Sequence, residues 1–384
     1  MFKLSSRRYT GAKTKLLQAI DESILKHFDY RKCKNLSFFD VFAGTGVVSE
    51  YFMQKPQFQH FIINDFLQSN FVIYQGFFGK GEFDLNKLEK IRQDFQGIES
   101  QKSNENLIDC HEFTTVNSHN DKKGQNYYAK HFGGTFFSKN DAFKIGVIRE
   151  EIDRLLESQI ITQKEFYMLL ASLLYSSDRV ANTVGHYDAY RKNIALEDRF
   201  NYELIEPLKT HKNIEIFKQD SNALVRDLVS FYEAHSYLKD SINDTKLPID
   251  IAFLDPPYNS RQYSRFYHLL ETLSTNDKPK LYGVALKPKP KNLSAYCKVE
   301  AKEALKDLVQ NLAKISKFIV LTYNNTYSAN ARSNARIGAK DIKELLESVG
   351  QTSMCEYDFK AFSTGKSDLK NHKERIFICQ VAKQ

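Results

Sequence analysis

The chain has 384 residues, too many for one small domain and enough for a large domain with an insertion or a second domain. A hydrophobic content of 42% without a run long enough to span a membrane, and an N-terminus without a secretion-type apolar stretch, set the expectation of a cytoplasmic protein with no membrane partner. The formal charge of +8 permits a polyanionic partner without demanding one, and the five scattered cysteines contain no Cys-x-x-Cys pair, so neither a zinc site nor a disulfide framework is expected.

Leu16, Leu17, Ile20, Ile24 and Leu25 recur at helical spacing and predict an amphipathic helix over about 12–27. A strand over Leu36–Phe42, a turn at Ala43-Gly44-Thr45-Gly46, a helix over Val47–Met53 and a strand over Phe58–Asn64 follow, the opening of a doubly wound sheet. Residues 95–140 are polar, with aromatic islands, and about 145–181 reads as helical. Sheet signals resume at Ile214–Phe217, Ile249–Leu254 and Phe318–Leu321. A helix over Ile342–Val349 and an apparent hairpin around Tyr357–Phe359 and Ile376–Cys379 end the chain. The expected class is α/β. One sheet domain (1–66 and 213–384) is interrupted by a largely helical insertion (67–212). The Lys- and Pro-rich stretch 278–291 reads equally well as a solvated connector or a nucleic-acid contact.

Four segments carry chemistry. At Phe39-Asp40-Val41-Phe42-Ala43-Gly44-Thr45-Gly46 the glycines let backbone pass close to a ligand, although Ser49 stands where a dinucleotide fingerprint has its third glycine. Asp65 lies at the tip of the next strand, about 20 residues on, placed for two ribose hydroxyls. The pair indicates a nucleoside-containing cofactor. Arg7-Arg8-Tyr9-Thr10-Gly11-Ala12-Lys13 opens a helix, where Lys13 adds charge that attracts an anion. Asp220, at another strand end, is placed to accept from an adenine amino group. Asp255-Pro256-Pro257-Tyr258 ends an apolar strand abruptly, because two prolines lock φ and remove two N–H donors. That corner offers a carboxylate, free carbonyls and an aromatic face to a planar group carrying –NH2, such as adenine or cytosine. Arg261, Tyr263 and Phe266 interleave charge and rings beside it.

Together these segments resemble the adenine-specific amino-methylating DNA methyltransferases with Dam-like motif order, found in restriction-modification systems. Arg8–Lys13, Phe42–Gly46, Asn64-Asp65, Asp220 and Asp255–Tyr258 match the family's motifs in order. Ser177–Tyr187, Arg261–Tyr263 and Tyr267–Thr272 are similar to segments of one branch. The resemblance implies a Rossmann-like sheet and S-adenosyl-L-methionine as cofactor, held by Tyr9, Lys13, Phe42, Ala43, Gly44, Thr45, Gly46, Asp65 and Asp220. Asp255, Pro256, Pro257 and Tyr258 would be catalytic, with Asp255 and the Pro256 carbonyl accepting both hydrogens of an adenine amine. The implied partners are double-stranded DNA and a cognate restriction endonuclease, with no metal. Candidate DNA contacts are Arg179, Asn182, His186, Tyr187, Tyr190, Arg191, Lys192, Arg261 and Tyr263. A cytosine-ring methylase is disfavoured, since none of the cysteines follows a proline. An amine methylase acting on cytosine or RNA, a dinucleotide oxidoreductase and a non-catalytic DNA-binding scaffold stand as alternatives.

Overall fold

Helix α1 (Leu17–His27), strand β1 (Leu36–Asp40), helix α2 (Val47–Met53) and strand β2 (Phe58–Asn64) open the chain. Helices α3 (Gln68–Phe77), α4 (Leu85–Gln96), α5 (Tyr127–Phe132), α6 (Lys139–Glu157) and α7 (Gln163–Val180) follow. Next come β3 (Asn213–Phe217), α8 (Ser221–Ser236) and β4 (Ile249–Leu254). Short helices α9 (Tyr263–Phe266) and α10 (His268–Thr275) lead to a small ribbon, β5 (Leu281–Tyr282) and β6 (Lys287–Pro288). The remainder is α11 (Ala301–Ile315), β7 (Ser316–Asn324), α12 (Ala339–Glu347), β8 (Gly350–Asp358) and β9 (Lys373–Val381). This computed structural model describes residues 2–98, 126–183, 185–236, 248–326, 335–358 and 373–382.

Seven strands form one sheet in the order β3-β2-β1-β4-β7-β9-β8. The first five pair in parallel, while β9 runs antiparallel to both β7 and β8. Such a sheet needs cover on both faces, which explains strands without polar alternation. All six residues of β4 are buried. Ile251 and Phe253 join Phe38, Phe61 and Val320 on the face that also packs α1, α2, α3 and α7. Ala252 and Leu254 join Phe39, Ile62 and Ile319 on the face covered by α8, α11 and α12. The order reverses between β1 and β4. Their carboxyl ends therefore diverge into a crevice, where open α/β sheets bind ligands.

The expected α/β class and Rossmann-like sheet are what the chain adopts, with corrections at element ends. The helix over about 12–27 starts later, because Gly11 is left-handed and Thr14–Leu16 forms a 3-10 turn before Leu17. The strand at Leu36 ends at Asp40, where the chain turns toward the glycines. The helical stretch 145–181 is two helices, and Thr162 and Glu165 form a reciprocal capping box that starts the second. The terminal pair is a long antiparallel hairpin, β8–β9, with Phe359 and the turn outside the described residues. The stretch 278–291 is tied to helices α5 and α6 by the Tyr127 hydroxyl donating to the Pro279 carbonyl and by the Lys278–Glu150 ion pair, and to the loop after α7 by the Lys287–Asp188 ion pair. Most of 95–125 lies outside the described residues.

Candidate active site

A cleft of about 910 Å³, counting its open mouth, occupies the crevice between the ends of β1 and β4. Its walls bring together Tyr9, Lys13, the turn Phe42–Thr45, Asp65, Asp220, Asp255 and Pro257. These come from five separate stretches of sequence, joined because each sits at the carboxyl end of a strand or against one.

The glycine turn is held from several sides. Gly44 and Gly46 adopt φ of 54° and 82°, and a Cβ on Gly46 would lie 3.1 Å from the Tyr74 ring. The Gly44 amide donates to Asp65 Oδ2 (2.8 Å), and the Leu67 amide to Asp65 Oδ1 (2.8 Å). Arg7 donates from Nη1 to the carbonyls of Gly44 (3.1 Å) and Thr45 (3.3 Å), and from Nη2 to Asn70 Oδ1 (2.6 Å). Burial pushes the Asp65 carboxyl up, while the Leu67, Asn70 and Gly44 hydrogen bonds pull it back. Asp220 Oδ1 accepts from the amides of Asn222 and Ala223 (both 3.1 Å), so it also caps α8. Phe42 meets Tyr296 edge-on, and the Tyr296 hydroxyl donates to Asn222 Oδ1 (2.7 Å), which makes an apolar slot beside Asp220.

Asp255 follows the last residue of β4. Leu254 pairs with Leu321 across the sheet, so Thr322 comes level with Asp255 and donates to its Oδ1 (2.9 Å). Lys13 Nζ lies 2.8 Å from the same Oδ1 and 3.1 Å from Glu374 Oε1. Burial alone would lower the Lys13 ammonium, but Asp255 and Glu374 outweigh it and hold it above the ordinary lysine range. Lys13 therefore differs from its sequence-based reading as a magnet for an external anion: it faces two carboxylates of its own chain. Tyr258 meets Tyr323 edge-on, and burial pushes its hydroxyl up to about 12, opposed by Lys13. Tyr9 stacks on Tyr267 at 4.6 Å and leans on Tyr263. The Tyr267 hydroxyl accepts from the Thr10 amide (2.8 Å), and the Tyr263 hydroxyl donates to the Thr10 carbonyl (3.2 Å). This packing makes Tyr263 a wall of the cleft.

The other DNA-contact candidates are scattered in placement. Tyr187 is buried and donates to Asp178 Oδ1 (2.8 Å). Asn182 is buried and donates to the carbonyls of Thr135 (2.8 Å) and Arg191 (3.0 Å), stapling its loop. His186 stacks on Phe266 at 4.8 Å, and burial lowers its imidazole below the ordinary range. Arg179 pairs with Glu203. Tyr190 packs edge-on against Phe136. Arg191, Lys192 and Arg261 are exposed, with the Arg261 guanidinium over the Phe266 ring. Sequence reasoning did not single out Arg7, Asp40, Thr322 or Glu374. Asp40 lies within the quoted glycine motif and Arg7 opens the quoted basic segment; no local pattern marks Thr322 or Glu374.

Asp40 bears on what the cleft can hold. It is buried on the cleft wall, its Oδ2 accepts from Ser49 (2.6 Å), and its Oδ1 has no partner. Burial pushes this carboxyl up to about 7. A buried carboxyl in the wall of a cleft that also holds Asp65 and Asp220 suits a cationic nucleoside. Among the described residues no cluster of His, Cys, Asp or Glu could hold a metal ion, and no helix is long and apolar enough to cross a membrane.

A Rossmann-like sheet whose switch point joins a glycine turn to an Asp-Pro-Pro-Tyr corner has the architecture of the amino-group methyltransferases. More narrowly, the chain belongs to the D12 class N6 adenine-specific DNA methyltransferase family, which it matches over residues 9–324. It is 31% identical over 327 residues to the modification methylase StsI of Streptococcus sanguinis, covering 83% of this chain and 44% of that protein. It is 28% identical to the modification methylase LlaI of Lactococcus lactis subsp. lactis, covering 96% and 53% respectively. It is 25% identical to the type II methyltransferase M.NlaIII of Neisseria lactamica, covering 95% of each. The chain thus spans about half the length of the first two relatives and nearly all of the third.

Proposed function

We propose that this protein transfers a methyl group from S-adenosyl-L-methionine to the exocyclic N6 amine of an adenine in double-stranded DNA, as the modification arm of a restriction-modification system. The supporting observation is the single cleft that Asp255 shares with the glycine turn, Asp65 and Asp220. In this reading Asp65 takes the ribose hydroxyls, Asp220 and the Phe42–Tyr296 slot take the adenine, and Asp40 faces the cationic end. S-adenosyl-L-methionine would supply an electrophilic methyl group on a sulfonium.

The chain's own residues do the rest. An adenine amine is a poor nucleophile because its lone pair is delocalised into the ring. Asp255 and the Pro256 carbonyl accept its two hydrogens and favour a pyramidal nitrogen with its lone pair free. Tyr258 supports the base, with stacking contributing roughly 1–3 kcal/mol. Extruding that base from the duplex costs a few kcal/mol. The cofactor's sulfur would leave with the S–C electron pair, and the methylated amine would pass one proton by way of Asp255 to solvent, so no strong base is needed before attack. Asp255 orients the amine and stabilises developing positive charge. The exposed Arg179, Arg191, Lys192 and Arg261 are the remaining candidates for duplex contacts, and 67–212 is the candidate recognition region. A cognate endonuclease and a cytoplasmic site of action complete the proposal.

Incubation with methyl-labelled cofactor and DNA tests it, with digestion to nucleosides. N6-methyladenine should form, and Asp255→Ala should abolish turnover, a loss of about a thousandfold or more, while keeping most cofactor affinity. Label in cytosine or in RNA alone, or near-normal turnover by Asp255→Ala, would overturn it.

A further inference from the structure

We infer that Glu374 is a positioning residue for this reaction, acting on Asp255 through Lys13; the inference rests on the function proposed above. Glu374 lies on β9, fifty residues beyond the part of the chain matched by the family. Sheet register brings it beside Lys13, which lines the cleft. On β9 it pairs with Asn324 at the end of β7, two residues beyond the Thr322 that donates to Asp255. Residues two apart on a strand share a face. Glu374 thus stands on the side of the sheet where the catalytic corner emerges.

Lys13 bridges the two carboxylates. The side chains of Lys13 and Glu374 are 4% and 3% exposed, against 19% for Asp255. A buried lysine facing only Asp255 would spend its full charge on the oxygen acceptor needed for the amine. Shared with Glu374, the ammonium neutralises each carboxylate in part, and the triad keeps one net negative charge beside the place where the amine becomes cationic. Lys13 and Thr322 both contact Asp255 at Oδ1. They occupy that oxygen, so in the proposed reaction the amine would meet Oδ2. Glu374 therefore does two things at once: it fixes where Lys13 sits, and it preserves the acceptor strength of Asp255.

The test compares wild type with Glu374→Gln, which keeps shape and removes charge, and Glu374→Asp, which keeps charge on a shorter arm. Steady-state methylation and equilibrium binding of cofactor and of duplex DNA are measured for each. Glu374→Gln should lower kcat roughly tenfold with both dissociation constants unchanged, and Glu374→Asp should recover part of the loss. A kcat within twofold of wild type in Glu374→Gln, or an equal loss in both variants, would overturn the inference. So would loss of folding in both, which assigns Glu374 to stability. An inactive wild type would instead defeat the function proposed above, so the two failures are distinct.

Discussion

Replacing Lys13 with methionine tests the charge arrangement without any appeal to catalysis. The substitution keeps most of the apolar stem and removes the ammonium that lies between Asp255 and Glu374. Two carboxylates then face each other across a largely dry site. Removing one partner of a buried ion pair costs about 3–5 kcal/mol, and the partial exposure of Asp255 places this case near about 3. For a chain of 384 residues that corresponds to a fall of about 4 °C in Tm. The pH dependence carries the sharper signature. In the wild type Lys13 is held above the ordinary lysine range. Its contribution is fully present below the unfolded lysine value and is lost only as pH rises through the raised folded one, so it is constant between pH 6 and 8. In Lys13→Met the like-charged carboxylates take up a proton more readily in the folded state, so the deficit shrinks as pH falls. Thermal unfolding at pH 8 and pH 6 without cofactor measures both effects. A variant within one degree of wild type at pH 8, or a deficit independent of pH, would refute the buried triad.

Asp40 makes a second prediction from pH. Its folded value of about 7 against an ordinary 3.8 means that its contribution falls as pH rises from about 4 to about 7, by up to about 4 kcal/mol. Denaturant titrations should show Asp40→Asn gaining on wild type across that window; a constant difference would contradict the burial argument. Arg7→Ala removes three hydrogen bonds around the glycine turn and should weaken cofactor binding about tenfold by calorimetry, whereas an unchanged constant would mean that Tyr74, donating to the Gly44 carbonyl at 2.7 Å, suffices. Tyr187→Phe should cost about 1–2 kcal/mol of stability and leave DNA affinity alone, because its hydroxyl serves the buried Asp178. Replacing the exposed Arg191 and Lys192 with alanine should do the reverse, lowering the salt dependence of DNA binding by up to about two counterions without moving Tm.

Local chemistry made much of this protein legible in its sequence. An apolar strand, two glycines and a helix predict the turn at 43–46, because only residues without a Cβ tolerate that backbone against Tyr74 and Tyr9. Two prolines ending β4 announce a rigid corner, because they forbid the strand to continue with its ladder. Motif order then identifies the family. Tertiary structure decided what pairing and burial control. Lys13 reads as a free cation in sequence, yet parallel and antiparallel pairing bring Thr322 and Glu374 from the far end of the chain to share its region. Tyr187 and Asn182 have the polar character of nucleic-acid contacts, yet packing turns both inward. A side chain's partners follow from strand register and helix docking, and those depend on contacts hundreds of residues apart that no local pattern encodes.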